Sequence, residues 1–385
     1  MSTRTTAGRR TTVTLAAALA ALAGLAACSA QPIHSAQPIS KTASPSLPPR
    51  TIVMQMPDAS DANGLFFAED VAQLSRGALK VTIDPKTYTS DLTSNEARLT
   101  ADLRSGKVGF AYQPARDWAA VGVPGFQALM APFAVTTVAA SQRVAASPVA
   151  STVLNELAGY GAVGLGLLAG EPRQILSTRP LFTLADFAGQ PIRIVDNPQT
   201  AALVTALGSR PVQGLASNAV AGPLHNGSVT GVESSPTYIE GDAYESEARY
   251  LTAYGMFAKF EVLVASKGAW SALPSADQAV IRHAIADTQG NSGGVGSNEA
   301  LTLTQLCQQG VVLDQPTSAQ LNALSRAAAA ATPASPDVSA VARLIAALPG
   351  TGPQPDAIPV PQGCRVAADA AEATRIHSAL SSAGT

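Results

Sequence analysis

A chain of 385 residues that is 46% hydrophobic and 14% charged carries enough apolar mass for two cores, which excludes a disordered chain. Its first 28 residues hold Arg4, Arg9 and Arg10 and no acidic side chain. Without them, 25 basic residues fall to 22 against 27 acidic, and a formal charge of −5 argues against nucleic acid as a partner.

The chain opens as an export signal: a basic start ending at Arg9-Arg10, then an apolar run over 13–26 that is too short and too Ala-rich to span a bilayer comfortably. Leu25-Ala26-Ala27-Cys28 resembles the lipobox of bacterial lipoproteins. The resemblance implies a signal over 1–28 and Cys28 as a lipidated first mature residue; a conventional signal is the alternative. Two acyl chains hold a protein stably at a membrane, where one does so only marginally. Arg9-Arg10 also admits twin-arginine export, although Thr12 and Val13 stand where Phe and Leu are expected. Residues 29–50, with Ser29-Ala30-Gln31-Pro32-Ile33 repeated as Ser35-Ala36-Gln37-Pro38-Ile39, read as a disordered tether.

Strands and helices then alternate. Strands are expected at 51–56, 78–83 and 108–112, with helices at 64–75 (apolar side Leu65, Ala68, Val71, Ala72) and 95–105. An Ala/Val/Leu pattern over 136–159 predicts one long helix, and the apolar run 162–169 a short buried strand. Thr183-Leu184-Ala185-Asp186 starts a short helical turn that Gly189 ends. Further strands are expected around Arg193, near Pro211, at 229–233 and at 260–265, with helices at 199–207 and up to His225. Ser275-Ala276-Asp277-Gln278 is a capping-box pattern before a long helix whose Val280, Ile281, Ala284 and Ile285 face a core. Such alternation predicts mostly parallel sheets covered by helices, which bind ligands at the carboxyl ends of their strands.

Two arginines stand out, in Gly170-Glu171-Pro172-Arg173-Gln174 and Pro191-Ile192-Arg193-Ile194-Val195. In the second, period-2 alternation sends Ile192 and Ile194 to one face and Arg193 to the other. A guanidinium is always charged, and its planar fork of donors matches a carboxylate. An anion clamp and a solvated arginine on an edge strand both fit this pattern.

The surrounding motifs resemble the solute receptors of tripartite ATP-independent periplasmic (TRAP) transporters, the dicarboxylate-receptor family, over about 51–331. The resemblance rests on Glu96-Ala97-Arg98-Leu99, Leu103-Arg104-Ser105-Gly106-Lys107-Val108, Ala131-Pro132-Phe133 and Gly170 to Arg173. It continues through Leu184-Ala185-Asp186-Phe187-Ala188-Gly189-Gln190-Pro191-Ile192-Arg193, Ala206-Leu207-Gly208-Ser209-Arg210-Pro211, Tyr250-Leu251-Thr252 and Trp270-Ser271-Ala272-Leu273-Pro274. It implies a two-lobed α/β fold of the periplasmic-binding-protein type, with lobe I over 51–170 and 259–300, lobe II over 171–258 and 301–385, and the ligand cleft between them. It further implies capture of a small organic acid and delivery to membrane-embedded transporter subunits. Arg193 matches the family arginine that pairs with the ligand carboxylate, Arg173 a second family arginine, and Ser234 a polar position that is usually asparagine. Glu233 beside Ser234, and Gln113 after the third strand, complete the expected ligand-binding set. Thr230, Ala219 and Ala221 depart from the family pattern and leave the ligand open.

No Gly-x-Ser-x-Gly elbow, Walker loop or His-Glu-x-x-His is present, and Gly293-Gly294-Val295-Gly296 lacks the preceding strand of a dinucleotide site. His34, His225, His283 and His377 have no ligand spacing, so neither a metal nor a cofactor is expected. In an exported protein Cys307 and Cys364 are expected to pair; two buried thiols are the alternative. A transporter receptor, a lipoprotein that presents a ligand to a signalling partner, and a secreted enzyme on a similar scaffold remain three readings, of which the first fits the motifs.

Overall fold

The computed structural model describes residues 49–58, 61–88, 94–291, 293–352 and 357–383; the export signal, Cys28 and nearly all of the tether lie outside them. Period-2 burial marks the first strands, with Ile52 and Met54 inward in one and Leu79 and Val81 in the next. The strands are β1 (Arg50–Gln55), β2 (Leu79–Asp84), β3 (Phe110–Pro114), β4 (Ala162–Ser177), β5 (Pro191–Arg193) and β6 (Arg210–Val212). They continue as β7 (Gly231–Ser234), β8 (Tyr250–Thr252), β9 (Phe257–Ser266), β10 (Val312–Asp314) and β11 (Arg365–Ala367).

One sheet runs β2-β1-β3-β9-β4, with β1 parallel to both neighbours and β9 antiparallel to β3 and β4. The last residues of β4, from Gln174 to Ser177, enter a second sheet between β7 and β8. That sheet extends through β5 and β6 on one side and through β10 and β11 on the other, each joined in parallel. The architecture is the two-lobed α/β one, and β4 is common to both sheets.

β4 is twice the length of the expected strand at 162–169. Its apolar run ends at Ala169, but Glu171, Arg173 and Gln174 are buried and hydrogen-bonded, so pairing continues through polar residues. At the passage between sheets the register shifts between Ala169 and Pro172, where proline has no N–H for the ladder. A Cβ at Gly170 would collide with the carbonyl of Lys259 on β9, so this crossing requires glycine.

Three local expectations are corrected. The helix over 136–159 is two, Val138–Ala145 and Pro148–Glu156, because Ser147 caps the second by accepting from the Val149 N–H at 3.2 Å and Pro148 begins it. In the helix Ala62–Leu74 the buried stripe is Gly64, Phe67 and Val71, and Leu65 is 47% exposed. Gln278 does not close a capping box: its amide donates back to the Trp270 and Leu273 carbonyls at 3.0 and 3.1 Å.

One continuous core joins Trp118, Phe126 and Phe133 of the first sheet's helices and turns to Phe187, Ile192 and Leu203 beside the second sheet. Phe133 adopts φ 60°, a left-handed conformation offset by its N–H bond to Met256 O at 2.7 Å and by stacking on Tyr254 at 6.1 Å. Near the C-terminus, helix Ser318–Ala328 packs on Pro198–Ala206, while Pro336–Ala346 packs on Pro124–Leu129 and Pro148–Glu156. That segment thus touches the helices of both sheets. No described helix is long and apolar enough to cross a membrane.

Cys307 and Cys364 form a disulfide across 57 residues, tying helix Gly293–Gln308 to the chain just before β11. Constraint of the unfolded chain by a loop of this length stabilises by about 4 kcal/mol in the chain-entropy model. Replacing both cysteines by alanine is expected to lower the unfolding free energy by about 2 to 4 kcal/mol. Urea unfolding of the mature chain measures this, and a loss well below that range would remove the bond from the protein's stabilising interactions.

Asp314 on β10 is fully buried; Oδ2 accepts the Leu181 N–H at 2.8 Å, and Oδ1 has no partner among the described residues. Burial pushes its carboxyl up to about 8, against the partial help of that N–H. A carboxyl raised on folding stabilises while the unfolded chain's carboxyl is also protonated, and this contribution is lost as pH rises. The folded protein is therefore expected to lose stability between the ordinary carboxylate range and about pH 8. Asp314→Asn keeps an acceptor for Leu181 and should flatten that slope; an unchanged pH profile of unfolding would exclude Asp314 as its source.

Candidate ligand cleft

β5 places Arg193 between Ile192 and Ile194, both buried in the core, and turns the guanidinium to the other side. Arg193 is only 4% exposed, so the solvated edge-strand alternative falls. Its Nε and Nη2 both donate to the Leu215 carbonyl, at 3.0 and 2.8 Å, and among the described residues no carboxylate lies within ion-pair distance. Burial pulls its pKa down, with Tyr244 and Glu233 acting the other way. The result is a buried cation held in place by a carbonyl, with no direct ion-pair partner among the described residues.

Arg173 on β4 is compensated. Its Nε forms a short ion pair with Glu233 of β7, and Nη2 donates to the Glu233 carbonyl at 3.0 Å. Burial raises the Glu233 carboxyl, but Arg173 more than offsets this and holds it below the usual range. Ser234 is buried opposite Gln174 in the β4/β7 register. Gln113 is fully buried on β3, and its amide donates to Thr100 Oγ1 at 3.0 Å, toward the helix Ser94–Arg104. Arg173, Glu233 and Arg193 therefore form one electrostatic group, whereas the Gln113 amide is engaged with its own sheet's helix.

Several charged residues at this place were absent from the expected set. Arg116, just after β3, forms a short ion pair with Glu96 and is close enough to influence Arg193, Glu233 and Glu261. Lys259 and Glu261 alternate on one face of β9 and pair at 2.6 Å. Burial pushes the Glu261 carboxyl up to about 7 even against Lys259. The available signal was the strand itself, since two charges at alternate positions within an otherwise apolar run must face something other than lipid-like core.

Beside this array lies a cavity of about 600 Å³. It is lined by the turn after β1, the polar part of β4, the helix Pro236–Gly241, β9, and the helices Ser275–Asn291 and Gly293–Gln308. Glu171 faces it and accepts the Thr237 N–H at 3.2 Å and the Thr237 hydroxyl. Tyr238 donates to Asp58 Oδ2 at 2.7 Å and receives Lys259 Nζ at 2.9 Å. Fixed donors and acceptors around a cavity of this size suit binding and orientation of a small polar molecule.

Residues 57–335 match the model of the bacterial extracellular solute-binding protein family 7. A solute-binding protein of Roseobacter denitrificans is 23% identical over 226 residues, 58% of this chain and 67% of that protein. A TRAP periplasmic solute-binding protein from Xanthobacter autotrophicus, solved with bound β-D-galacturonate, shares 17% identity at a TM-score of 0.67, covering 77% of this chain and 99% of its own. The sugar acid binding protein of Advenella mimigardefordensis, in complex with galactonate, shares 21% identity at a TM-score of 0.68, covering 78% and 98%. A similar protein from Ralstonia eutropha, with bound (S)-2-acetolactate, shares 18% identity at a TM-score of 0.64, covering 86% and 99%. With most of its folded part matched by the family model, the chain belongs to the bacterial extracellular solute-binding proteins of family 7 and is a binding protein rather than an enzyme.

Proposed function

We propose that the protein captures a small organic acid at the outer face of the cytoplasmic membrane, by pairing its carboxylate with Arg193, and delivers it to membrane-embedded TRAP transporter subunits. The observation that carries this reading is the contrast between two buried arginines: Arg173 is paired with Glu233, and among the described residues Arg193 has the Leu215 carbonyl and no carboxylate within ion-pair distance. A ligand carboxylate supplies the missing charge, and the bidentate fork of guanidinium fits it. The organic acids bound by the related solved receptors support the same class of ligand. In this reading, lobe I comprises 51–170 and 259–300, and lobe II comprises 171–258 and 301–385. Arg173, Glu233 and Ser234 shape the site around the clamp, and Gln113 supports it from the first sheet.

A receptor of micromolar affinity has about 8 kcal/mol of binding free energy in total. A charge-assisted bond to a carboxylate contributes about 1.5 to 3 kcal/mol, and leaving the ligand anion buried and unpaired costs several more. Arg193→Ala is therefore expected to weaken binding at least about a hundredfold. Arg193→Lys should recover little, because a point charge does not reproduce the fork. Calorimetry with an acid selected by thermal-shift screening decides this. Binding by folded Arg193→Ala within threefold of wild type would place the clamp elsewhere.

The lipobox motif and the tether that follows it support lipid anchoring through Cys28. Cys28→Ala is expected to leave the protein unprocessed or release it from the membrane fraction. Unchanged retention and electrophoretic mobility on fractionation would refute the anchor.

A further inference from the structure

The cavity is strongly acidic, and its lining reaches the clamp region through Glu171, two residues before Arg173, and Ser235, two after Glu233; Arg193 itself is not part of that lining. Asp58, Asp61, Glu171, Asp242 and Glu261 line it, and Lys259 is the basic residue in that lining among the described residues. Lys259 is already engaged by Glu261 at 2.6 Å and by Tyr238 Oη at 2.9 Å. Asp61 and Glu171 accept hydrogen bonds only from neutral donors among the described residues, Asn63 N–H and Tyr112 Oη, both at 3.0 Å, for the first and Thr237 for the second, and the one lysine that acts on Asp61, Lys259, is shared with Glu261. Excess negative charge in a cleft built to accept an anion is unfavourable unless the ligand brings a positive group.

A second observation points the same way. Ser235 lines the cavity, is 1% exposed, and its hydroxyl has no hydrogen-bond partner among the described residues. Buried hydroxyls rarely stay unpaired, and this one offers an acceptor to an incoming N–H. It stands two residues after Glu233, which holds Arg173, so it marks where the acidic cavity meets the arginines. No group of three acidic, His or Cys residues among those described is gathered closely enough for a metal ion. Carboxylates spread over such a space fit an organic cation instead.

We infer that the ligand is a zwitterion, with its carboxylate on Arg193 and an ammonium in the acidic cavity between Glu171, Asp61 and the Ser235 hydroxyl. This deepens the carboxylate reading and rests on it. Hydroxy acids satisfy Arg193 with their carboxylate but bring only a neutral hydroxyl to the facing carboxylates; ω-amino acids and amino sugar acids satisfy both ends.

Calorimetry on the mature chain with matched pairs tests this: 5-aminopentanoate against 5-hydroxypentanoate, 6-aminohexanoate against 6-hydroxyhexanoate, and D-glucosaminate against D-gluconate. In at least one pair the amino member is expected to bind about tenfold or more tightly than its partner. Glu171→Gln combined with Asp61→Asn, which preserves size and hydrogen bonding, should remove most of that preference, while Arg193→Ala weakens both members. Circular dichroism confirms that each variant is folded. Equal or tighter binding of the hydroxy member, a preference that survives in the double variant, or binding of neither member in every pair overturns the inference. Hydroxy acids bound through Arg193 would overturn it while sparing the receptor reading. Amino acids bound undiminished by Arg193→Ala would overturn both.

Discussion

Burying Arg193 takes a full positive charge out of water and returns two hydrogen bonds to one carbonyl oxygen, that of Leu215. A neutral acceptor orients a guanidinium but does not neutralise it, and removal of charge from water costs several kcal/mol even after relaxation. The fold maintains this residue against that cost because Ile192 and Ile194 are locked into the core on either side of it. The protein itself therefore sets the orientation of the guanidinium, and in the proposed reading this preorganises it for a carboxylate.

The second constraint is the strand that carries the neighbouring arginine. β4 serves one sheet through its pairing with β9 and the other through β7 and β8, and its polar residues fall at the transition. Glu171 and Arg173 therefore sit where the two sheets meet, and so do their partners from the segment that follows β7 and from β7 itself. Only glycine at position 170 lets β4 and β9 approach closely enough for this crossing. The buried Arg173 and Glu233 pair then adds rigidity at the cost of desolvating two charges, a balance that favours position more than stability.

Much of this is legible in the sequence, for identifiable reasons. The alternation around Arg193 fixes which way that side chain points, and Thr183 with Asp186 forms the capping box that the turn before it requires. Pattern reading fails where burial is polar. β4 looks finished at Ala169 because hydrophobic count cannot recognise Glu171 or Arg173 as interior residues. Arg116, Lys259 and Glu261 are missed for the same reason, since each looks like a surface charge until its burial is known: Arg116 pairs with Glu96 from another segment, and Lys259 with Glu261 along the same strand. Pro148 is the opposite case, a breaker visible in the sequence but outweighed by a long Ala/Val/Leu pattern.

Contacts between the two sheets' helices link the clamp to the rest of the cleft. Asn197, four residues after Arg193, caps its own helix by accepting from the Gln199 and Thr200 N–H groups and donates to the Arg116 carbonyl at 3.0 Å. Gln199 donates to the Gln127 carbonyl at 2.9 Å. One helix N-terminus therefore joins the strand of Arg193 to the segment of Arg116, and separation of the sheets breaks these bonds together. Each is worth about 1 kcal/mol net in a protein, too little to hold two mutually repelling arginines near each other unaided. In the proposed reading, a carboxylate on Arg193 relieves the repulsion that Arg173 and Arg116 exert on it, and so stabilises the arrangement these bonds hold.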